Sequence, residues 1–326
     1  MGKQLSKPVT QRNIAAGLKL FAPQLFSGKL IALKMKKRYA IAAVLSAGLF
    51  VTCHSEFMKF RKSEDKQRAY LLDKGQKDVA FGNYEVEGRT IHYTKSGAEG
   101  QPLVLMVHGS PGSSDAMLDY LADSNLTSQT LVVTVDRPGF GYSDFGKTER
   151  SLKKQAEQLR SLLEKYRSSS NKAILVGHSY GGPLIARMAM DFPELVDGLV
   201  IVAGSIDPTL EPDYWWARPR DWWICRWMAP GAFRVSNQEI IPLKKYLEDM
   251  LPLWANITCP VTVLQGTKDK LVEPGNADFA KKMITNSRRL EVDKLEGDDH
   301  FIMWSKEKLI AGKILEMIGV DSNELK

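Results

Sequence analysis

The stretch Lys172-Ala173-Ile174-Leu175-Val176-Gly177-His178-Ser179-Tyr180-Gly181-Gly182-Pro183-Leu184-Ile185-Ala186-Arg187 decides how the rest of the chain is read. Ala173 to Val176 are an apolar run of the length of a buried strand, and a helix is expected to open near Pro183. Between them Ser179 sits in a Gly-x-Ser-x-Gly pattern with Gly177 and Gly181. A serine at the tip of so tight a strand-to-helix turn takes a strained backbone conformation, and side chains at either glycine would collide with neighbouring backbone. Such a turn exposes a hydroxyl at the end of a sheet. Behind it lies a helix N-terminus, whose unpartnered N–H groups can face negative charge. The pentapeptide alone is weak, because a glycine-rich turn before any helix gives the same pattern. Its surroundings decide.

Upstream, Tyr84 to Tyr93 alternate apolar and polar residues around Gly88, which predicts a hairpin. Leu103 to Val107 and Leu131 to Val135 are continuous apolar runs, as in strands covered on both faces. His108-Gly109-Ser110-Pro111-Gly112 follows the first of these, and Asp136-Arg137-Pro138-Gly139-Phe140-Gly141-Tyr142-Ser143 makes a stiff turn after the second. An amphipathic helix is predicted over 151–167, with Leu152, Ala156, Leu159, Leu162, Leu163 and Tyr166 on one stripe. Downstream, strands are predicted at 199–203, 261–265 and 289–292, with helices near 276–284 and 306–317. Strands alternating with helices predict a mostly parallel sheet of eight strands with helices on both faces.

This order, with a serine turn after the fifth strand, resembles the α/β-hydrolase fold, serine-nucleophile branch, over about residues 80–320. The combination is specific for the fold and not for a substrate. A serine hydroxyl needs a base and a group to orient that base. Of five histidines, His54 lies beside the N-terminal apolar stretch and His92 in the hairpin. His108 stands where the family keeps a structural histidine, and His178 adjoins the serine too closely to meet it head-on. His300, between the last strand and the last helix, is where the fold presents its base. The resemblance places the acid after the seventh strand, at Asp269; Asp207, Asp298 and Asp299 compete. The order Ser179, Asp269, His300 matches the family's. The resemblance also assigns the oxyanion donors to the backbone N–H groups of Ser110 and Tyr180, and it requires no cofactor or metal. Epoxide hydrolases and haloalkane dehalogenases share the fold but use an aspartate nucleophile, so Ser179 argues against both.

The formal charge of +7 suggests an acidic partner until it is mapped. Nine Lys or Arg and no acid fall within residues 1–38, and the remainder holds 36 basic against 38 acidic residues. The folded part therefore has no electrostatic support for nucleic-acid binding. Met35-Lys36-Lys37-Arg38 precedes an uncharged stretch from Tyr39 to Thr52, so residues 39–56 are expected to act as an export signal or membrane anchor that places the following domain outside the cytoplasm. The stretch is shorter than the ~20 residues of a usual span. Thr52-Cys53 resembles the end of a lipoprotein signal, and the basic tail could alternatively start at Met35 or form part of an organelle presequence. Cys53, Cys225 and Cys259 show neither a disulfide framework nor metal spacing.

Residues 57–80 are expected to be a linker with a first helix, and 81–205 with 257–326 the α/β core. Residues 206–256 interrupt the alternation as a small cap rich in tryptophan, including Trp215, Trp216, Trp222, Trp223 and Trp227. These rings either pack the cap's own core, roof an apolar acyl or aryl group, or meet a membrane interface. The expected activity is cleavage of an ester or other acyl bond in a small, apolar substrate. Carbon–carbon hydrolases, thioesterases, aminopeptidases and haloperoxidases present the same three residues, and an anchored, non-catalytic receptor is the alternative from another class.

Overall fold

The computed structural model describes residues 56–167, 171–212 and 230–319, with Met35, Arg38, Tyr39, Ile41 and Val44 as further single positions. The chain divides into two units, Met1–Thr52 and Cys53–Lys326. In the first, the five described positions are helical, and Tyr39, Ile41 and Val44 are exposed. Most of the expected anchor at 39–56 lies outside the described residues, as do Cys53, Cys225 and the tryptophans Trp215, Trp216, Trp222, Trp223 and Trp227. No helix among the described residues is long and apolar enough to cross a membrane.

In the second unit eight strands form one sheet: β1 (Val79–Val86), β2 (Arg89–Ser96), β3 (Leu103–Val107), β4 (Leu131–Val135), β5 (Ala173–His178), β6 (Gly198–Val202), β7 (Val261–Gly266) and β8 (Leu290–Leu295). Their spatial order is β1-β2-β4-β3-β5-β6-β7-β8. β2 runs antiparallel to both its neighbours, and every other pairing is parallel. The chain leaves β3 for β4 on one side and returns to β5 on the other. The carboxyl ends of β3 and β5 are therefore where the winding reverses, the place at which open α/β sheets hold ligands.

The central strands are fully buried because each face has its own cover. Leu103, Leu105 and Val107 join one apolar cluster and Val104 and Met106 the other. Helices α2 (Leu152–Tyr166) and α3 (Gly181–Asp191) close the first face, while α7 (Glu307–Ile318) contributes Ile310 and Ile314 to the second. The six stripe residues of α2 are all buried. Ser151 caps it, its hydroxyl accepting from the Lys154 N–H.

The stretch expected to be a linker with a first helix contains a helix. Helix α1 (Glu64–Asp73) has a Ser63 cap, and β1 begins at Val79. The insertion after β6 contains α4 (Gly231–Ile240) and α5 (Leu243–Met250), followed by a 3₁₀ turn over Leu251–Asn256. In its second half Leu243, Leu247, Met250 and Trp254 pack into the same cluster as α3. Helix α6 (Asn276–Met283) follows β7.

Candidate active site

Ser179 follows β5 with φ at +55°, a left-handed conformation that costs a non-glycine residue energy. The two glycines make the turn possible. A Cβ on Gly177 would stand 2.3 Å from the Gly181 carbonyl oxygen, and one on Gly181 would stand 2.3 Å from that of Val107. The Ser179 N–H donates to the Val202 carbonyl at 3.0 Å, and its carbonyl accepts from the Gly182 N–H at 2.9 Å. The turn is thereby fastened to β6 on one side and to α3 on the other.

Asp269 and His300 meet beside it. The loop after β7 presents the Asp269 carboxylate, whose Oδ1 accepts from the N–H groups of Leu271 (2.9 Å) and Val272 (2.8 Å). Its Oδ2 accepts from Gln265 Nε2 at 3.0 Å and contacts His300 Nδ1 at 2.8 Å. Burial acts to raise the Asp269 pKa, but the hydrogen bonds from His300, Val272 and Leu271 together with the nearby imidazole prevail and hold it below the usual carboxylate range. A carboxylate so placed selects the tautomer with the proton on Nδ1, which leaves His300 Nε2 as an acceptor. The competing acids are engaged elsewhere: Asp207 with Thr209, Asp298 with Lys306 at 3.0 Å, and Asp299 with the Phe301 N–H.

The loop after β3 passes within touching distance of the serine, since a Cβ on Gly109 would lie 2.9 Å from Ser179 Cβ. Among the described residues neither the Ser110 N–H nor the Tyr180 N–H has a hydrogen-bond partner. His108 fixes this loop from beneath: Nδ1 lies 2.7 Å from the Gly109 carbonyl and Nε2 accepts from the Arg137 N–H at 3.1 Å. Burial, reinforced by the Arg137 charge, pushes its pKa down to about 3, so it stays neutral.

Several supports carry no sequence signature. Buried Arg137 donates to the His108 and Gly109 carbonyls, each at 3.0 Å, and forks onto Glu239 of α4 at 2.7 and 2.8 Å. Ser110 Oγ donates to Ser236 Oγ on the same helix at 2.8 Å. His178 Nε2 lies 3.1 Å from the His300 carbonyl, and its ring packs on those of His300 and Trp304. Burial, with the neighbouring His300, lowers the His178 pKa to about 4.

Two cavities meet at Ser179. The first, of about 290 Å³, is walled by Phe60, Met117, Phe233, Phe301 and Trp304; the second, of about 210 Å³, by Ser205, Glu211, Ile240, Leu243 and Val272. Ser110, Leu271 and His300 border both. Together they fall in the range of small-molecule sites, roughly 300–1,000 Å³. Among the described residues no cluster of three metal-ligating side chains occurs.

Residues 102–224 match the family model of the alpha/beta hydrolase fold, and the chain has that fold. The matched stretch contains Ser110, Ser179 and Tyr180; Asp269 and His300 lie beyond it. Over 174 residues the chain is 28% identical to an uncharacterized hydrolase of Saccharomyces cerevisiae, covering 53% of this chain and 55% of the yeast protein. Over 169 residues it is 34% identical to the 1-acylglycerol-3-phosphate O-acyltransferase of Arabidopsis thaliana, covering 50% of this chain and 38% of that protein. The chain thus spans about half or less of these curated relatives. An epoxide hydrolase from Vigna radiata superposes with a TM-score of 0.59 at 17% identity, over 74% of this chain and 98% of that one, a likeness of fold alone.

Proposed function

We propose that the protein is a serine hydrolase that cleaves an ester or related acyl bond through an acyl-enzyme. The observation that carries this reading is one arrangement: a strained Ser179 bordering the same two cavities as a His300 whose Nδ1 is held by Asp269 at 2.8 Å. Among the described residues the Ser179 hydroxyl makes no hydrogen bond, as is common for such a group before substrate closes the geometry.

In this reading Ser179 Oγ attacks the substrate carbonyl while His300 Nε2 takes the hydroxyl proton. Asp269 holds the imidazole in register and stabilises the imidazolium. The oxyanion is received by the partnerless N–H groups of Ser110 and Tyr180, each donor typically worth about 10²–10³ in rate. His300 then returns the proton to the leaving group, and water repeats the sequence on the acyl-enzyme. No step calls for a cofactor. The relatives named epoxide hydrolase share part of the sequence, but the elbow here carries a serine, which favours acyl chemistry over epoxide opening.

The basic run before an apolar stretch at 39–56 further supports an anchored or exported enzyme, acting outside the cytoplasm. A mature protein whose N-terminus lies well before Met35 and which fractionates with soluble cytosol contradicts that placement. The chemical proposal is tested by hydrolysis of p-nitrophenyl esters of graded chain length. Turnover with an initial burst is expected from the wild type, and a loss of about 10⁴-fold or more from Ser179→Ala. Equal rates from the two proteins dismiss the mechanism.

A further inference from the structure

The two cavities differ in kind. Rings and a methionine wall the first, whereas the second holds a carboxyl group that the mechanism above does not use. Glu211 follows β6, and its Oε1 accepts from the Ser205 hydroxyl. Ser205 in turn reaches the nucleophile's own backbone, its N–H donating to the Ser179 carbonyl at 3.4 Å. Among the described residues Glu211 makes no other hydrogen bond and no ion pair, which leaves Oε2 without a partner there. Burial pushes its pKa up to about 7, and the one charge opposing this is Lys244. A half-buried carboxyl with an idle oxygen is costly unless a donor reaches it.

Resting on the ester-hydrolase reading, we propose that Glu211 is a specificity-determining residue for a two-armed substrate. One arm, apolar, lies against Phe233, Phe301 and Trp304. The other, on the far side of the scissile carbonyl, is short and ends in a hydroxyl or amino group that donates to Glu211. The second cavity, of about 210 Å³, has the size for a short arm.

The test uses isosteric esters. Ethylene glycol monooctanoate is compared with propyl octanoate, placing the hydroxyl on the alcohol arm. Octyl 3-hydroxypropanoate and octyl 3-aminopropanoate are compared with octyl butanoate, placing the donor on the acyl arm. In at least one set the wild type is expected to favour the donor-bearing ester by roughly tenfold or more in kcat/KM, the scale of one hydrogen bond to a charged group. In Glu211→Leu that ratio falls to about one or below. In Glu211→Gln the charge that strengthens the bond is lost, so the ratio falls toward that of a neutral hydrogen bond, most for the amino ester, which decides the matter should the leucine variant not fold. The proposal is overturned if the wild type shows no preference in either set, or if the preference survives in variants that still react with a fluorophosphonate at Ser179. A folded wild type that neither hydrolyses any of these esters nor reacts with the fluorophosphonate defeats the underlying serine mechanism instead, a result distinct from the other two.

Discussion

Among the described residues two histidine–aspartate pairs have the same contact, and one of them, His300–Asp269, borders the two cavities at Ser179. His92 Nδ1 lies 2.8 Å from Asp136 Oδ2, the distance also found between His300 Nδ1 and Asp269 Oδ2. Each carboxylate is pinned further by two backbone N–H groups, those of Ser114 and Tyr142 on Asp136 and those of Leu271 and Val272 on Asp269. In both, burial would raise the carboxyl pKa and the donors overcome it. The difference lies at the far nitrogen. His92 Nε2 is 3.4 Å from a Glu64 carboxylate oxygen, and its ring is bracketed by Phe81 and Tyr142. His300 borders two cavities and a serine on a strained turn. Pairing with a carboxylate organises an imidazole; in the mechanism proposed above, what stands before its other nitrogen decides whether the pair holds the fold together or moves a proton.

Matched substitutions break that comparison. Asp269→Asn keeps the shape but no longer selects the Nδ1–H tautomer, and kcat on an ester substrate should fall by about 10⁴-fold with little change in melting temperature. Asp136→Asn should do the opposite. Removing a fully buried charge from its donors is expected to cost about 3–5 kcal/mol in urea unfolding, while the folded fraction keeps turnover within a few-fold. Comparable losses of activity from both variants would erase the distinction.

A smaller effect sharpens it through pH. His108 and His178 stay neutral in the fold down to about 3 and about 4, whereas in the unfolded chain they take up protons near 6.5. Their contribution is complete above 6.5 and is lost as pH falls, by up to about 1.4 kcal/mol per group per pH unit. Glu211 has the opposite sign. Its folded pKa of about 7 lies above the unfolded value, so its contribution is present at low pH and lost as pH rises through 7. The net expectation for these three groups is a loss of about 1 kcal/mol per unit between pH 6 and 5, roughly doubled in Glu211→Gln. Denaturant unfolding at each pH reads both slopes. Identical slopes in the two proteins would remove Glu211 from the balance.

The core strands were legible because both faces of each are covered, which turns a strand into an uninterrupted apolar word; Leu103–Val107 and Leu131–Val135 were bounded from sequence as they stand in the fold. The last strand continues to Leu295 past the point where its apolar run stops, since an edge strand can carry Asp293 and Lys294 toward water. Ser179, Asp269 and His300 were legible through a motif and an order of elements. Arg137 with Glu239, and Ser205 with Glu211, were not. The first pair is separated by 102 residues, and neither has a spacing that a motif could record. His178 was excluded as a base, and it is the ring that braces the His300 backbone.

The most direct measurement is peptide mapping by mass spectrometry after exposure to a fluorophosphonate. A single adduct on Ser179 is predicted, slowed in Asp269→Asn and absent from Ser179→Ala. A folded wild-type protein that acquires no adduct, or acquires one only at another serine, would contradict the assignment of the reactive alcohol.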